Sequence, residues 1–430
     1  MTASTGRTHF ESVAPKLGPR PALDGLRGIG VMIVVLGHVI YEVIPSAAAL
    51  VDMFFLLSGF LITTLLLEEH RKTDTVDLKR FYKRRAARLL PMLYIVVGVT
   101  FASLWALYLI HGANTDAPFS DGGTYGDLWN MVRSDALAAG TYMYHVIHPV
   151  GEELVHSTMP TPRPLIPLWT LGVEEHYYIV GVLLTFLAIK KHWIRSAIGV
   201  LVAAIVFIAV ARALGHVGPR LAWYQRPDAL LAGVAMAFVN GYIPASFTDR
   251  HERAIKHTMT AAIVAWCAIV FLGTWFAKPF NLWIPFHPLD GAQLADGLYW
   301  PRFGFSAALL CSVCLVWGLA RTRGHWSERM LSVSWLCAVG RRSYGIYIIH
   351  FPLAMILLNL FPGTPAVGVL LYLPMLWLTT ELAHRYLEKP LMKGRAPVKK
   401  QPTEVPPNSQ AEDHSGESPA PRETTPPADG

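Results

Sequence analysis

Arg27 and His38 stand eleven positions apart in the run Leu23-Asp-Gly-Leu-Arg-Gly-Ile-Gly-Val-Met-Ile-Val-Val-Leu-Gly-His38. Eleven helical residues turn through about 1100°, so both side chains face within roughly 20° of each other, about 16 Å apart along the axis. The spacing predicts a membrane helix over about 28–45, with Asp24 as its cap, Arg27 at its polar entrance and His38 inside an apolar stretch. An ionisable group inside hydrocarbon is costly and commonly marks a reaction or transport path. A guanidinium at a helix N-terminus is disfavoured unless an anion such as a phosphate meets it. The plainer reading also stands: Arg27 as a topological anchor and His38 as an interhelical hydrogen-bonder.

Other stretches could join them. Lys79-Arg-Phe-Tyr-Lys-Arg-Arg-Ala-Ala-Arg88 offers Arg84, Arg85 and Arg88 beside Tyr82, either as a stop signal touching anionic lipid or as a cradle for a polyphosphate. In Trp169-Thr-Leu-Gly-Val-Glu-Glu-His-Tyr-Tyr178, Glu174 and Tyr178 share a helix face, about 24 Å from Lys190 by helical rise. Glu174 is thus placed near the outer end of its span, as a general acid or base, an orienter, or a solvated helix start. Ser343, Tyr344 and His350 lie in Ser343-Tyr-Gly-Ile-Tyr-Ile-Ile-His-Phe-Pro352, with His350 about as deep as His38 or simply a satisfied core histidine. Ser58-Gly59 reads mainly as a small pair for close helix contact. Arg226 and Asp228 form a charge pair that is internal or touches an acceptor. The external histidines His111, His145, His148 and His156 lack the close spacing of a zinc site. Cys311 and Cys314 fall in a predicted span and read as packed thiols.

The elements that carry these residues follow from composition. Hydrophobic residues are 53% of the 430 and charged ones 16%, against roughly 25% in a soluble domain. Apolar runs near the ~20 residues that cross a bilayer predict an all-α, polytopic helix bundle of about ten transmembrane helices. They are expected near 28–45, 50–67, 90–110, 174–189, 196–212, 228–240, 258–276, 303–320, 336–358 and 367–386. With both termini cytoplasmic, most of the 37 Lys and Arg fall on the inner side. The net charge of +7 is therefore topogenic and leaves no role for nucleic acid. No cleavable signal peptide is visible, so the first helix reads as a retained anchor. Residues 1–20 are expected as a flexible cytoplasmic head, 21–395 as the membrane domain, and the Pro-rich 396–430 as a disordered cytoplasmic tail.

Taken in order, these motifs resemble the acyltransferase 3 family of integral-membrane O-acyltransferases. The resemblance rests on Arg27 and His38 with ten residues between them, Phe54-Phe-Leu-Leu-Ser-Gly-Phe60, Phe81-Tyr-x-Arg-Arg-x-x-Arg88, Trp169-Thr-Leu-x-x-Glu174, Arg226-x-Asp228, Ser343-Tyr-x-x-Tyr-x-x-His350 and Glu388-Lys-Pro390. His176 stands where the family often has Gln. The resemblance implies an acyl-CoA co-substrate, with no permanently bound cofactor or metal. It also implies a hydroxyl acceptor: a carbohydrate, a glycolipid or a secreted metabolite at the cell envelope. In that scheme His38 and Glu174 are catalytic, and Arg27, Arg84, Arg85, Arg88 and Tyr82 bind the donor. Asp24, Ser58, Trp169, Arg226, Asp228, Ser343, Tyr344 and His350 support the site or the acceptor. Membrane lipid is a further partner, and a second acyl-transfer step would need a separate envelope protein. A proton-coupled transporter or flippase, using His38 and Glu174 as a relay, is the competing expectation.

Overall fold

Why the apolar runs become helices is plain from their setting: within lipid, every backbone N–H and C=O must be satisfied inside the segment. The computed structural model describes residues 12–39, 48–117, 123–148, 163–214, 227–271, 303–361 and 364–393, with only the backbone at a few helix ends, 37–39 among them. The architecture is all-α, and no strand forms among the described residues.

Helix α1 spans Pro21–Val39. Pro21 takes the first position, where its missing N–H costs nothing. Asp24 consequently lies in the first turn and is not the cap. Helix α2 is Ala48–Thr73 and α3 is Leu78–His111. The Asp77 carboxylate accepts the Arg80 N–H at 2.9 Å and starts α3 there. The basic stretch from Lys79 to Arg88 is therefore helix, where a connection reaching Leu89 was expected. Pro91 sits inside α3 without ending it.

Residues 111–173, expected as an external connection, hold α4 at Tyr125–Gly140 and α5 at Tyr144–Ile147. A reciprocal capping box between Thr124 and Asp127 opens α4, which packs back along α3. Then come α6 at Trp169–Lys190, α7 at Ile194–Ala213, α8 at Asp228–Gly241 and α9 at Ala245–Phe271. Helix α10 covers Phe305–Arg321, α11 Trp326–Leu331, α12 Ser334–Arg341 and α13 Ser343–Leu360. Helix α14 is Pro365–Ala383, followed by a wide turn at His384–Glu388 and by α15 at Lys389–Lys393.

Each expected span overlaps a helix, but the count of ten is not reached on length and apolarity. Among the described residues six stretches qualify as crossings: Ala49–Thr73, Leu78–His111, Ile166–Lys190, Ile194–Ala213, Ser343–Leu360 and Ala366–Leu391. Helices α8 and α10 are apolar but shorter. The run expected over 336–358 is broken at Arg342, where α12 gives way to α13.

The most extensive packing joins α2 to α8. A Cβ on Gly59 would lie 2.4 Å from the Leu230 carbonyl oxygen, and one on Gly233 would lie 2.2 Å from that of Leu56. Only glycine permits that approach, the small-residue contact common between membrane helices. On α1 the Asp24 carbonyl lies against Gly340 of α12 in the same way. Of the head, residues 12–20 are held down: Leu17 N–H donates to Glu68 at 2.8 Å, and Arg71 donates to the carbonyls of Ser12 and Ala14. The Pro-rich tail from 396 lies outside the described residues.

Candidate active site

A polar centre forms where α2, α3 and α6 meet. Tyr82 of α3 donates its hydroxyl to the backbone carbonyls of Tyr178 and Ile179 in α6, at 2.8 and 3.1 Å. Because α3 is helical from Leu78, the next turn brings Arg85 beside α6 as well. Its Nε and Nη2 donate to Glu175 Oε1 at 3.0 and 2.8 Å, and Nη2 lies 4.0 Å from Glu174 Oε2. The guanidinium carbon sits 3.1 Å above the centre of the Tyr178 ring. Ser58 of α2 completes the group by donating to Glu174 Oε1 at 3.0 Å. Sequence distance had set Glu174 and the arginines at opposite ends of the membrane domain. They meet because the basic stretch climbs alongside α6 as helix.

Arg27 on α1 lies within electrostatic range of Glu174, Asp24, Tyr178 and Arg88. Neither Arg27 nor Arg88 makes a side-chain hydrogen bond or ion pair among the described residues, and the Arg88 Nε is buried without a partner there. Arg84 is exposed and stays outside the centre. Arg84, Arg85 and Arg88 thus part company: one exposed, one held by Glu175, one within electrostatic range of Arg27.

Helix α13 closes the centre. Tyr347 donates to the Pro167 carbonyl at 2.7 Å and accepts from Thr170 at 2.9 Å, while Tyr344 donates to the Leu89 carbonyl at 2.8 Å. His350 is fully buried, with Nδ1 at 2.5 Å from the Tyr347 carbonyl. A carbonyl only accepts, so Nδ1 carries a proton in that contact. Ser343 is buried at the break between α12 and α13. His38 lies in the last turn of α1, and its side chain lies outside the described residues. Upstream of it, Val31 and Val35 pack with Ile346 and Leu357 of α13.

Two expected supporting residues sit elsewhere. Trp169 packs edge-on against Phe55, with ring centres 6.2 Å apart. Asp228 forms a buried ion pair with Arg212 of α7 at 2.5 Å, and Arg226 lies outside the described residues. Sequence reasoning passed over Arg212 and Glu175, and took Thr170 and Tyr347 only as motif positions with no role of their own. A charge inside an apolar run such as that of α7 was a usable signal that a buried carboxylate had to exist.

A second polar cluster sits in the 123–163 region. The fully buried Asp135 of α4 accepts from Arg163 and, at 3.1 Å, from the Tyr144 hydroxyl, with His148 Nε2 at 3.4 Å. Burial pushes its carboxyl up to about 6, against the pull of Arg163. Burial, helped by His176 with its ring centre 4.7 Å away, holds His145 down at about 4.

The model of the acyltransferase 3 family, described as an acyltransferase domain, matches residues 20–383. The chain belongs to that family. The matched acyltransferase 3 region takes in every helix from α1 to α14 and all residues of the polar centre. Among similar proteins, the peptidoglycan O-acetyltransferase OatA of Listeria monocytogenes is 27% identical over 390 residues, covering 87% of this chain and 56% of its own. A putative peptidoglycan O-acetyltransferase of Bacillus subtilis, YrhL, is 27% identical over 388 residues, covering 86% and 54%. The O-acetyltransferase OatA of Staphylococcus aureus is 24% identical over 393 residues, covering 89% and 59%. The chain spans little more than half the length of these relatives. No solved structure matches it.

Proposed function

We propose that the chain is a membrane O-acyltransferase. It moves an acyl group, most simply acetyl, from cytoplasmic acyl-CoA to a hydroxyl of a cell-envelope carbohydrate, glycolipid or secreted metabolite. One observation carries the reading: Arg27 and Arg88, two cations with no carboxylate bonded to either among the described residues, lie within electrostatic range of each other, and Arg27 of Glu174, inside an apolar bundle. Unpaired charges in such a place are costly unless a ligand supplies the opposite charge. The anionic donor does so, its phosphates approaching past the exposed Lys83 and Arg84 and its thioester lying beyond Arg27. The names of these relatives support acetyl as the group and peptidoglycan as one candidate acceptor.

In the reaction, the acceptor oxygen bonds to the thioester carbonyl carbon, its proton passes to a base, and the carbon–sulfur bond breaks to release the CoA thiol. His38 is assigned as that base, or as a transient acyl carrier, and Glu174 orients the acceptor hydroxyl. Purified chain incubated with acetyl-labelled CoA and a glycan acceptor should move the label to the acceptor. A His38→Ala variant that inserts normally yet transfers at the wild-type rate would refute the assignment. Label that stays on CoA while the acceptor crosses the membrane unchanged would make the chain a transporter.

A further inference from the structure

Arg85 belongs, by its sequence, to a run of cations suited to phosphate. Its surroundings give it another task. Two of its nitrogens are spent on one oxygen of Glu175, its flat face lies on the Tyr178 ring, and only 19% of its side chain is exposed. The backbone beneath it is fixed too, because Tyr82, one turn earlier, is bonded to the α6 carbonyls of Tyr178 and Ile179. A guanidinium held on three sides keeps little freedom to turn and meet a phosphate. Its neighbours Arg84 and Arg88 show the contrast, one exposed and the other carrying a buried nitrogen with no partner among the described residues.

What the clamp leaves is one edge towards Glu174. Nη2 reaches to 4.0 Å from Glu174 Oε2, while the opposite oxygen of that carboxylate takes the Ser58 hydroxyl at 3.0 Å. Glu174 is therefore gripped from two helices, by a hydroxyl of α2 on one oxygen and a cation of α3 on the other. Two adjacent carboxylates, Glu174 and Glu175, divide the labour: Glu175 binds Arg85 hard, and Arg85 then holds Glu174 at a distance that leaves its lone pairs open. A planar fork fixed by a carboxylate and an aromatic face suits this better than a flexible ammonium would.

We propose that Arg85 is a positioning residue for Glu174 and not a ligand of the acyl donor. Glu175 and Tyr178 act as its mount. The inference rests on the acyltransferase reading, and it places Arg85 in the step that follows donor binding.

Full-length wild type, Arg85→Gln, Arg85→Lys, Glu175→Gln and the Arg85→Gln/Glu175→Gln double variant are compared in detergent or nanodiscs. Acetyl-CoA affinity is measured by equilibrium binding, and turnover with the labelled donor. Only variants that elute and melt like wild type are scored, and Arg85→Lys guards against loss of fold because it keeps the charge. Loss of a transition-state contact lowers kcat without raising donor KM. Arg85→Gln is expected to lower kcat about 10- to 100-fold with acetyl-CoA affinity within about twofold of wild type. Arg85→Lys should recover part of that loss, and the double variant should stay as slow as the single one. The proposal is overturned if Arg85→Gln weakens acetyl-CoA binding about tenfold while kcat holds, since Arg85 is then a phosphate ligand. It is equally overturned if the double variant regains wild-type turnover, since Arg85 then only neutralises Glu175. If wild type itself moves no acyl group in the presence of donor and glycan, the failure lies with the proposed function and not with Arg85.

Discussion

The Ser58 hydroxyl on α2 donates to Glu174 Oε1 on α6 at 3.0 Å, joining two residues 116 positions apart in the chain. Ser58 reads from sequence as half of a small pair made for packing, yet the packing is done by Gly59 alone. The two neighbours on α2 face different helices and do different work. Replacing Ser58 by Ala removes a hydrogen bond to a carboxylate, an interaction worth about 1.5–3 kcal/mol. We expect turnover to fall by about tenfold or more, donor affinity to hold, and Ser58→Thr to restore most of the rate. Steady-state kinetics with labelled acetyl-CoA checks this, and an unchanged kcat in Ser58→Ala would separate Glu174 from the reaction.

The α2–α8 contact makes its own demand. A methyl group at Gly59 would meet the Leu230 carbonyl oxygen at 2.4 Å, and backbone cannot step aside as a side chain can. Overpacking of this kind costs about 1–3 kcal/mol. Gly59→Ala and Gly233→Ala should each lower the melting temperature in detergent. Combining them should cost less than the sum, because either one alone already pushes the helices apart.

Arg212 and Asp228 form the test of a buried charge pair. Their side chains are 2% and 5% exposed. Removing one partner strands the other and costs about 3–5 kcal/mol, whereas replacing both with apolar groups of similar size is often neutral. Arg212→Ala should fail to accumulate or melt early, and Arg212→Met/Asp228→Leu should melt near wild type. Equal damage from both would mean that the pair contributes something other than charge balance.

pH acts on the 123–163 region through groups of opposite sign: Asp135 is raised, while His145 and, beside Asp135 itself, His148 are lowered by burial. His145 binds its proton near 6.5 when unfolded and near about 4 when folded, so stability falls as pH drops through that interval. Asp135 holds its proton up to about 6 when folded but only to 3.8 when unfolded, so its contribution falls as pH rises from 3.8 to about 6. Between about 4 and 6 the two largely offset one another. His145→Gln removes part of what opposes Asp135, and His145→Gln/His148→Gln removes more, so the melting temperature of the double variant should decline from pH 4 to 6 where wild type stays flatter. A double variant as flat as wild type would remove both histidines from this account.

Particular residues show how far sequence alone carried. The apolar runs announced the helices, because in lipid the backbone has no other recourse. The Arg27, Glu174 and basic-stretch motifs announced the family, since their spacing survives without knowledge of packing. Depth did not follow. Counting rise from Lys190 placed Glu174 far from Arg85, and nothing local revealed that α3 starts at Leu78 and carries Arg85 up to meet it. Asp77 was the available hint, a capping residue just before the cations. Residue pairs such as Arg212 with Asp228, on separate helices, depend on tertiary register that no single stretch encodes.

Glycine meeting glycine has a final consequence. Where Gly59 and Gly233 let two backbones touch, α2 and α8 have no cushion of side chains between them and move as one plank. The hydroxyl that steadies Glu174 is fixed to that plank. Any rearrangement that moves Ser58 away from Glu174 must therefore carry α8 along with α2.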